Sequence, residues 1–511
     1  MQTHVSAIFL TGKHVYKVKK PVDFGFLDFT TLEKRKFYCQ QEVELNRRLC
    51  PEIYLGVVEI RSHRGQIFLG EGPGEIIEYA VLMKQLPQDC MMDRYLARGA
   101  ITPALLHKIA VKIADFHSHA ATNSEIASFG KIDTIRKNVE ENFAQTEKYA
   151  GLSLSAESFG EIKESTHRFM QKQLPLFEQR IAGGKIRDCH GDLHLQHICL
   201  TDEILIFDCI EFNQRFRYSD VVADLAFLLM DLDFHGYPLL SADLASGYLN
   251  ISHDWPLFLL LDFYKSYRAY VRGKVTSFCL DDPDISPAEK DSALKQARRY
   301  FHLAHHYSRR LNRPALLITC GLVGTGKTTI DRTLSEVLGW NLLSSDIFRK
   351  ELAHLSPGEH RYEKFHQGIY SPDFSRRTYQ ALFERAGNIL PAGNSVIIDA
   401  SFKKKMDRQE ALTLAKQAGA GFLLIECQSD EGEIQKRLAS RATDENEPSN
   451  GRWEIFADQK EDFERVEGMS PDLHLPLKTH GSIEEGLEAI FQHLLKRAGR
   501  ELLSQFDGVK E

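Results

Sequence analysis

Short alternating runs open the chain. His4–Leu10 and His14–Val18 alternate apolar and polar positions about Thr11-Gly12-Lys13, the pattern of two strands joined by a turn. Leu32–Leu49 then reads as a helix, followed by strand-like pieces at Gly56–Ile60 and Gln66–Leu69, split by Arg64-Gly65, and a short apolar strand at Tyr79–Met83. This is a small β-rich lobe carrying one helix. From Thr102 to about Gln179 the period is helical. Ile186–Cys189, Ile198–Leu200 and Ile204–Phe207 read as short strands around a polar loop, and helices resume to about Arg310. The last of these, Ser286–Arg310, stops near Asn312-Arg313-Pro314, where the proline marks a boundary.

Beyond that proline the pattern becomes strand–helix alternation. Ala315–Cys320 is an apolar strand, and Ile330, Leu334, Val337 and Leu338 form a helical stripe closed by Gly339. Ser395–Ile398 and Gly421–Glu426 are further apolar strands. A capping box of Ser482 and Glu485 opens a last amphipathic helix. Alternation of this kind predicts an α/β domain with a mostly parallel sheet covered by helices. The expected organisation is a two-lobed α+β domain over residues 1–310 (small lobe about 1–85, large lobe about 86–310), an α/β domain over 314–499 and a tail at 500–511.

The 511-residue length agrees with two or three domains, and 43% apolar with 26% charged residues is ordinary for a globular chain. A net charge of −7 is not the bulk signature of a nucleic-acid binder. The nine cysteines contain no C-x-x-C pair, so neither a disulfide framework nor a zinc site is expected. No apolar run reaches the ~20 residues that span a bilayer, and the segment MQTHVSAIFLTGKH lacks a basic leader region. A cytoplasmic protein with no membrane partner is expected.

Candidate chemistry is concentrated in two places. Gly321-Leu322-Val323-Gly324-Thr325-Gly326-Lys327-Thr328 follows an apolar strand and precedes an amphipathic helix. Glycines at these positions let backbone N–H groups turn inward to cradle phosphate oxygens, and the helix N-terminus adds a favourable dipole. Lys327 is expected to reach the β/γ-phosphates and Thr328 to bind Mg²⁺, with Thr325 and Thr329 beside the nucleotide. Asp399 closes its strand, where a carboxylate holds the metal shell or caps the next helix. Asp346 and Arg349 stand three apart, on one face of a helix starting there: a proton acceptor and an anion clamp, or a cap and its neighbour. Arg437 and Arg441, four apart, read as a lid over the phosphates or as a solvated basic face.

This half, roughly Leu316 to Ala498, resembles P-loop kinases of the gluconate kinase, polynucleotide 5′-kinase and zeta-toxin type. The resemblance implies that Asp346 acts as the base. The Asp-x-x-Arg spacing looks most like the polynucleotide 5′-kinases.

The second place is Cys189-His190-Gly191-Asp192-Leu193-His194-Leu195-Gln196-His197, between two apolar strands, with Asp208 at the end of the second. A polar loop followed by a strand-end aspartate is how phosphotransferases place a base, here Asp192, and a metal ligand, here Asp208. Upstream, Lys17 and Lys19 share one face of a strand, with Lys17 favoured for the ATP phosphates. Glu42 lies on the apolar stripe Tyr38, Glu42, Leu45, Leu49, so it needs a partner, and the strand lysine is the obvious one. These residues resemble the aminoglycoside phosphotransferase family and its kinase-like relatives, whose loop reads H-G-D-x-x-x-x-N. The resemblance covers residues 4–280 and implies a catalytic Asp192, a metal-binding Asp208, an adenine-facing segment at Val81-Leu82-Met83, and Asp224 as acceptor of bonds from the loop. The family asparagine falls on His197, read as a metal position that suits Mg²⁺ poorly.

The whole chain, including Pro21–Asp28 and Asp208–Asn213, resembles bacterial fusions of such a domain to a P-loop kinase domain. The expected function is an ATP-dependent phosphotransferase (ATP, with GTP as an alternative nucleotide, and Mg²⁺) with two nucleotide sites. The acceptor is an unidentified small-molecule or nucleic-acid hydroxyl. The alternative is a regulatory protein whose N-terminal domain binds a ligand or partner while only the P-loop domain turns over ATP.

Overall fold

A computed structural model describes residues 5–356, 366–441 and 452–507. Of these, residues up to Leu311 together with 499–507 form one compact unit, and Asn312–Ala498 form a second.

In the first unit, five antiparallel strands make a sheet in the order β1-β2-β5-β3-β4. They are β1 (Ser6–Leu10), β2 (His14–Lys19), β3 (Tyr54–His63), β4 (Gln66–Leu69) and β5 (Glu75–Lys84). Thr31 caps the one helix of this lobe, Leu32–Asn46, by accepting from the Lys34 N–H. The helix buries Cys39 and Val43 against Tyr54, Tyr79, Val81 and Met83. It ends three residues earlier than its apolar stripe implies, because the chain turns at Arg47–Leu49 to enter β3.

The rest of the unit is mainly helical, with two short ribbons. β6 (Ile186–Asp188) pairs with β9 (Tyr218–Asp220), and β7 (Ile198–Leu200) with β8 (Ile204–Ile206). At its centre every residue of the helix Val221–Phe234 is buried, including Asp224, Asp231 and Asp233. A carboxylate without water must find donors. Asp233 finds the Tyr307 hydroxyl and Lys265; the other two find the loop that follows β6. The segment expected to be a tail is the end of the helix Ile483–Asp507, whose Leu502 is buried and whose Glu501 pairs with Arg310.

The second unit is a five-stranded sheet, order β11-β12-β10-β13-β14, in which every pairing is parallel. Its strands are β10 (Ala315–Cys320), β11 (Asn341–Ser344), β12 (Val396–Asp399), β13 (Gly421–Gln428) and β14 (His474–Lys478). Leu316, Ile318, Val396, Ile398, Phe422 and Leu424 bury one face of the sheet against helices carrying Leu382, Ala386 and Ala411. β14 lies at an edge, where Pro476 is tolerated. Among the described residues no helix is long and apolar enough to cross a membrane.

Candidate active sites

In the first unit a network of charges joins β2, the helix Leu32–Asn46 and the segment after β8. Lys17 Nζ lies 2.8 Å from Glu42 Oε1 and 2.6 Å from Asp208 Oδ1. Lys19 Nζ lies 2.6 Å from Glu42 Oε2 and also pairs with Glu211. Glu42 therefore serves both lysines, which share a face as alternate residues of a strand must. The two are not equivalent. Lys19 is 1% exposed and closed in over the Phe29 ring, whereas Lys17 is 15% exposed and reaches Asp208. Burial alone would lower the Lys17 pKa, but Asp208 and Glu42 outweigh it and hold the ammonium charged.

The loop between β6 and β7 is held from below. Asp224 accepts from the His190 N–H at 2.7 Å and the Gly191 N–H at 2.8 Å, the role expected of it. Asp231, two helical turns on, accepts from the Leu195 N–H at 3.0 Å. Sequence reading did not single out Asp231; its signal was a second acid seven residues along a stripe too apolar to leave it unpaired. Between these anchors Asp192 stands one-third exposed, 3.5 Å from both His194 Nε2 and His197 Nδ1. Burial would raise its pKa, yet the neighbouring histidines dominate and keep it a carboxylate. Asp208 has φ +63°, left-handed for a non-glycine residue, the kind of strain that concentrates at functional sites. Its N–H is fixed by the Tyr54 hydroxyl and the next N–H by Asn46. Met83 is buried in the small-lobe core beside Tyr54 and Val81, on the strand paired with β2.

In the second unit the turn after β10 has Gly321, Gly324 and Gly326 at φ +142°, +77° and +85°. Space is as tight as conformation: a Cβ on Gly321 would lie 2.5 Å from Cys427 O, and one on Gly324 2.9 Å from Ile434 Cγ2. Gly326 opens the helix Lys327–Leu338. Lys327 Nζ donates to the Gly321 and Leu322 carbonyls at 3.0 and 2.8 Å. Thr328 Oγ1 donates to Asp399 Oδ2 at 2.9 Å. Thr325 is buried and bonded to the Leu322 carbonyl, while Thr329 is exposed in the first helical turn. Burial raises the Asp399 pKa against the pull of Lys327 and Thr328, and the Asp346 charge adds to the rise. Behind it, buried Asp331 accepts from the Thr319 hydroxyl at 2.6 Å; it lies on the stripe of Leu334 and Leu338, the signal that would have exposed it.

The remaining candidates separate. Asp346 sits in the first turn of the helix Ser345–Leu352. Arg349, expected to clamp an anion, is held by groups of the second unit. It is buried, donates to the Ile369 carbonyl at 2.6 Å and to Ser375 at 3.1 Å, and stacks on Tyr370. A helical spacing fixes the face but not the segment packed over it. Arg437 lies beside the glycine turn, 3.2 Å from where a Gly326 Cβ would stand, and donates to Thr479 O at 2.6 Å. Arg441 ends the helix Glu431–Arg441, with its side chain outside the described residues.

Comparison with known proteins agrees with this arrangement. The family described as "Phosphotransferase enzyme family" matches residues 46–259, and the "AAA domain" family matches residues 316–466. Uncharacterized proteins of Mycobacterium tuberculosis (strain H37Rv) and Mycobacterium bovis are 30% identical over 442 residues, 86% of this chain and 86% of theirs. This chain belongs to their family. It is a fusion of a phosphotransferase-family domain with a P-loop kinase-like domain. Among solved structures, a gluconokinase from Sinorhizobium meliloti 1021 is 18% identical, covering 38% of this chain and 97% of that one at a TM-score of 0.27. The APS kinase CysC of Mycobacterium tuberculosis is 19% identical, covering 36% of this chain and 98% of that one at a TM-score of 0.26.

Phosphotransfer domains of this kind imply a nucleotide and a divalent cation, and the two sites fit Mg²⁺ unequally. Thr328 and Asp399 converge through oxygen atoms alone, the donor set Mg²⁺ prefers. In the first unit Asp208 supplies oxygen, but the neighbouring donor is a ring nitrogen of His197.

Proposed function

We propose that this family member is an ATP-dependent phosphotransferase with two nucleotide sites, each moving a γ-phosphoryl group onto an acceptor hydroxyl. The observation that carries the reading is the contact of Thr328 with Asp399 beside a glycine turn whose lysine is bonded to the turn's own Gly321 and Leu322 carbonyls. Phosphoryl transfer needs positioning and charge neutralisation more than covalent chemistry. In the second unit the turn's amides and Lys327 would grip the triphosphate, Thr328 and Asp399 would hold Mg²⁺, and Asp346 would accept the acceptor's proton. Arg437, beside Gly326, would neutralise charge on the phosphates.

In the first unit Lys17, oriented by Glu42, would hold phosphates, Asp208 would hold the cation, and Asp192 would take the proton. The acceptor class is a hydroxyl-bearing small molecule or nucleic-acid end. Transfer of labelled phosphate from ATP to a panel of hydroxyl metabolites and to a 5′-hydroxyl oligonucleotide tests the proposal, with wild type, Lys327→Ala and Asp192→Ala run side by side. Each variant should lose a different part of the labelling. If the Lys327→Ala chain labelled everything the wild type does, the P-loop half of the proposal would be refuted.

A second reading has one observation in its favour. His197 stands where the related loops carry asparagine, which favours a first unit that binds ligand without turnover. In that case Asp192→Ala leaves all labelling intact.

A further inference from the structure

Hydrogen bonding selects the tautomer of each neutral histidine ring in the β6–β7 loop. His190 Nδ1 accepts from the Asp192 N–H at 3.2 Å and its Nε2 faces the Phe207 carbonyl at 3.0 Å, so Nε2 carries the hydrogen. His194 Nδ1 accepts from the Gln196 N–H at 3.3 Å, which puts its hydrogen on Nε2, facing Asp192 Oδ2 at 3.5 Å. Neither ring has a lone pair left for the site. His197 is the reverse. Its Nδ1 lies 2.9 Å from the Asp192 carbonyl, an acceptor only, so the hydrogen sits on Nδ1. The Nε2 lone pair then has Asp208 Oδ2 as a neighbour, 3.5 Å away.

Two lone-pair atoms 3.5 Å apart with no hydrogen between them repel, unless something positive lies between. Asp208 Oδ1 already accepts from Lys17, so Oδ2 is its remaining donor toward the site. Two donors each about 2.1 Å from one cation can stand 3.5 Å apart. The main-chain bond on the opposite nitrogen is also the usual way a ligating histidine is oriented. Asp192, His194 and His197 hold their donor atoms within 4.8 Å of one another, but by the assignment above His194 acts from outside, holding Asp192 in place.

We propose that the first unit binds a divalent first-row transition cation, the class represented by Mn²⁺, through His197 Nε2 and Asp208 Oδ2. Mg²⁺ accepts imidazole nitrogen poorly, while transition cations bind it well. The two halves of the chain then prefer different metals: an oxygen-only set at Thr328 and Asp399, a mixed nitrogen and oxygen set here. The inference rests on the proposed phosphotransfer site for its meaning, but cation binding is measurable without nucleotide or turnover.

The test is pulsed electron paramagnetic resonance of Mn²⁺ added alone, as MnCl₂, to the full-length protein. An imidazole bound to Mn²⁺ gives a ¹⁴N modulation that oxygen ligands do not. The expected result is a ¹⁴N signal in the wild type, its loss in His197→Asn with Mn²⁺ still bound, and its retention in His194→Gln. Thermal melting confirms that each variant is folded, and His197→Gln replaces His197→Asn if that chain is not. A wild-type protein whose bound Mn²⁺ shows no ¹⁴N modulation overturns the proposal, as does a signal that survives both His197 variants. Neither result would touch the phosphotransfer reading, which is decided by label transfer.

Discussion

Glu42 and Lys17 meet at 2.8 Å across the small lobe, and the same carboxylate holds Lys19 at 2.6 Å. Glu42 has no exposed side-chain surface. Breaking a buried pair by removing one partner leaves uncompensated charge, at about 3–5 kcal/mol. Glu42→Gln should therefore destabilise the first unit, toward the lower end of that range, because Lys17 keeps Asp208 and Lys19 keeps Glu211. Urea unfolding of the intact chain should show an earlier first transition, while nucleotide binding at the P-loop survives at low urea.

Asp224 supplies a pH dependence with a definite sign. Burial would raise its pKa, but the bond from His117 and the charges of His117 and His190 lower it to about 2 from the usual 3.8. A depressed carboxyl contributes stability that is fully present above about pH 4 and disappears as pH falls toward 2. The contribution is about 2 kcal/mol. Acid titration monitored by circular dichroism should show the wild type losing this stability between those values, and Asp224→Asn should lack that part of the slope.

Gly324 and Gly339 form a matched pair. Both have positive φ, +77° and +63°, but a Cβ on Gly324 meets Ile434 and Leu438, while Gly339 has open space. Gly339→Ala should cost about 1–2 kcal/mol of stability from conformation alone and leave nucleotide affinity unchanged. Gly324→Ala should push the turn away from the helix Glu431–Arg441 and weaken nucleotide binding at least tenfold. Calorimetric titration of each variant with an ATP analogue separates the two effects.

Arg349 and Asp346, paired by spacing, should part in their effects. Arg349→Ala removes two hydrogen bonds and a ring contact from a buried guanidinium, so it should destabilise the second unit by about 2–3 kcal/mol. Asp346→Asn should leave the melting temperature within a degree or two and lower turnover by about 10²–10⁴, the usual worth of a general base. Melting and steady-state rates on both variants decide it.

These residues also show what the sequence could carry. The phosphate turn was legible because its chemistry demands glycines and a lysine at fixed separations within one short segment. Glu42 and Asp224 were legible because an acid on an apolar stripe must have a partner. The packing of Arg349 was not, since its partners at Ile369 and Ser375 lie 20 and 26 residues away and nothing in the spacing reveals them. Nor was the choice between Lys17 and Lys19, because one shared carboxylate answers for both. β14 escaped notice because an edge strand needs no continuous apolar run and Pro476 breaks the usual pattern.

The most direct test of the central claim is a calorimetric titration of the intact chain with a non-hydrolysable ATP analogue, in buffer holding both Mg²⁺ and Mn²⁺. Two sites predict about two bound nucleotides per wild-type chain, and one each in Lys327→Ala and Lys17→Ala. A wild type that binds no nucleotide, or a Lys327→Ala chain that binds as the wild type does, would contradict it.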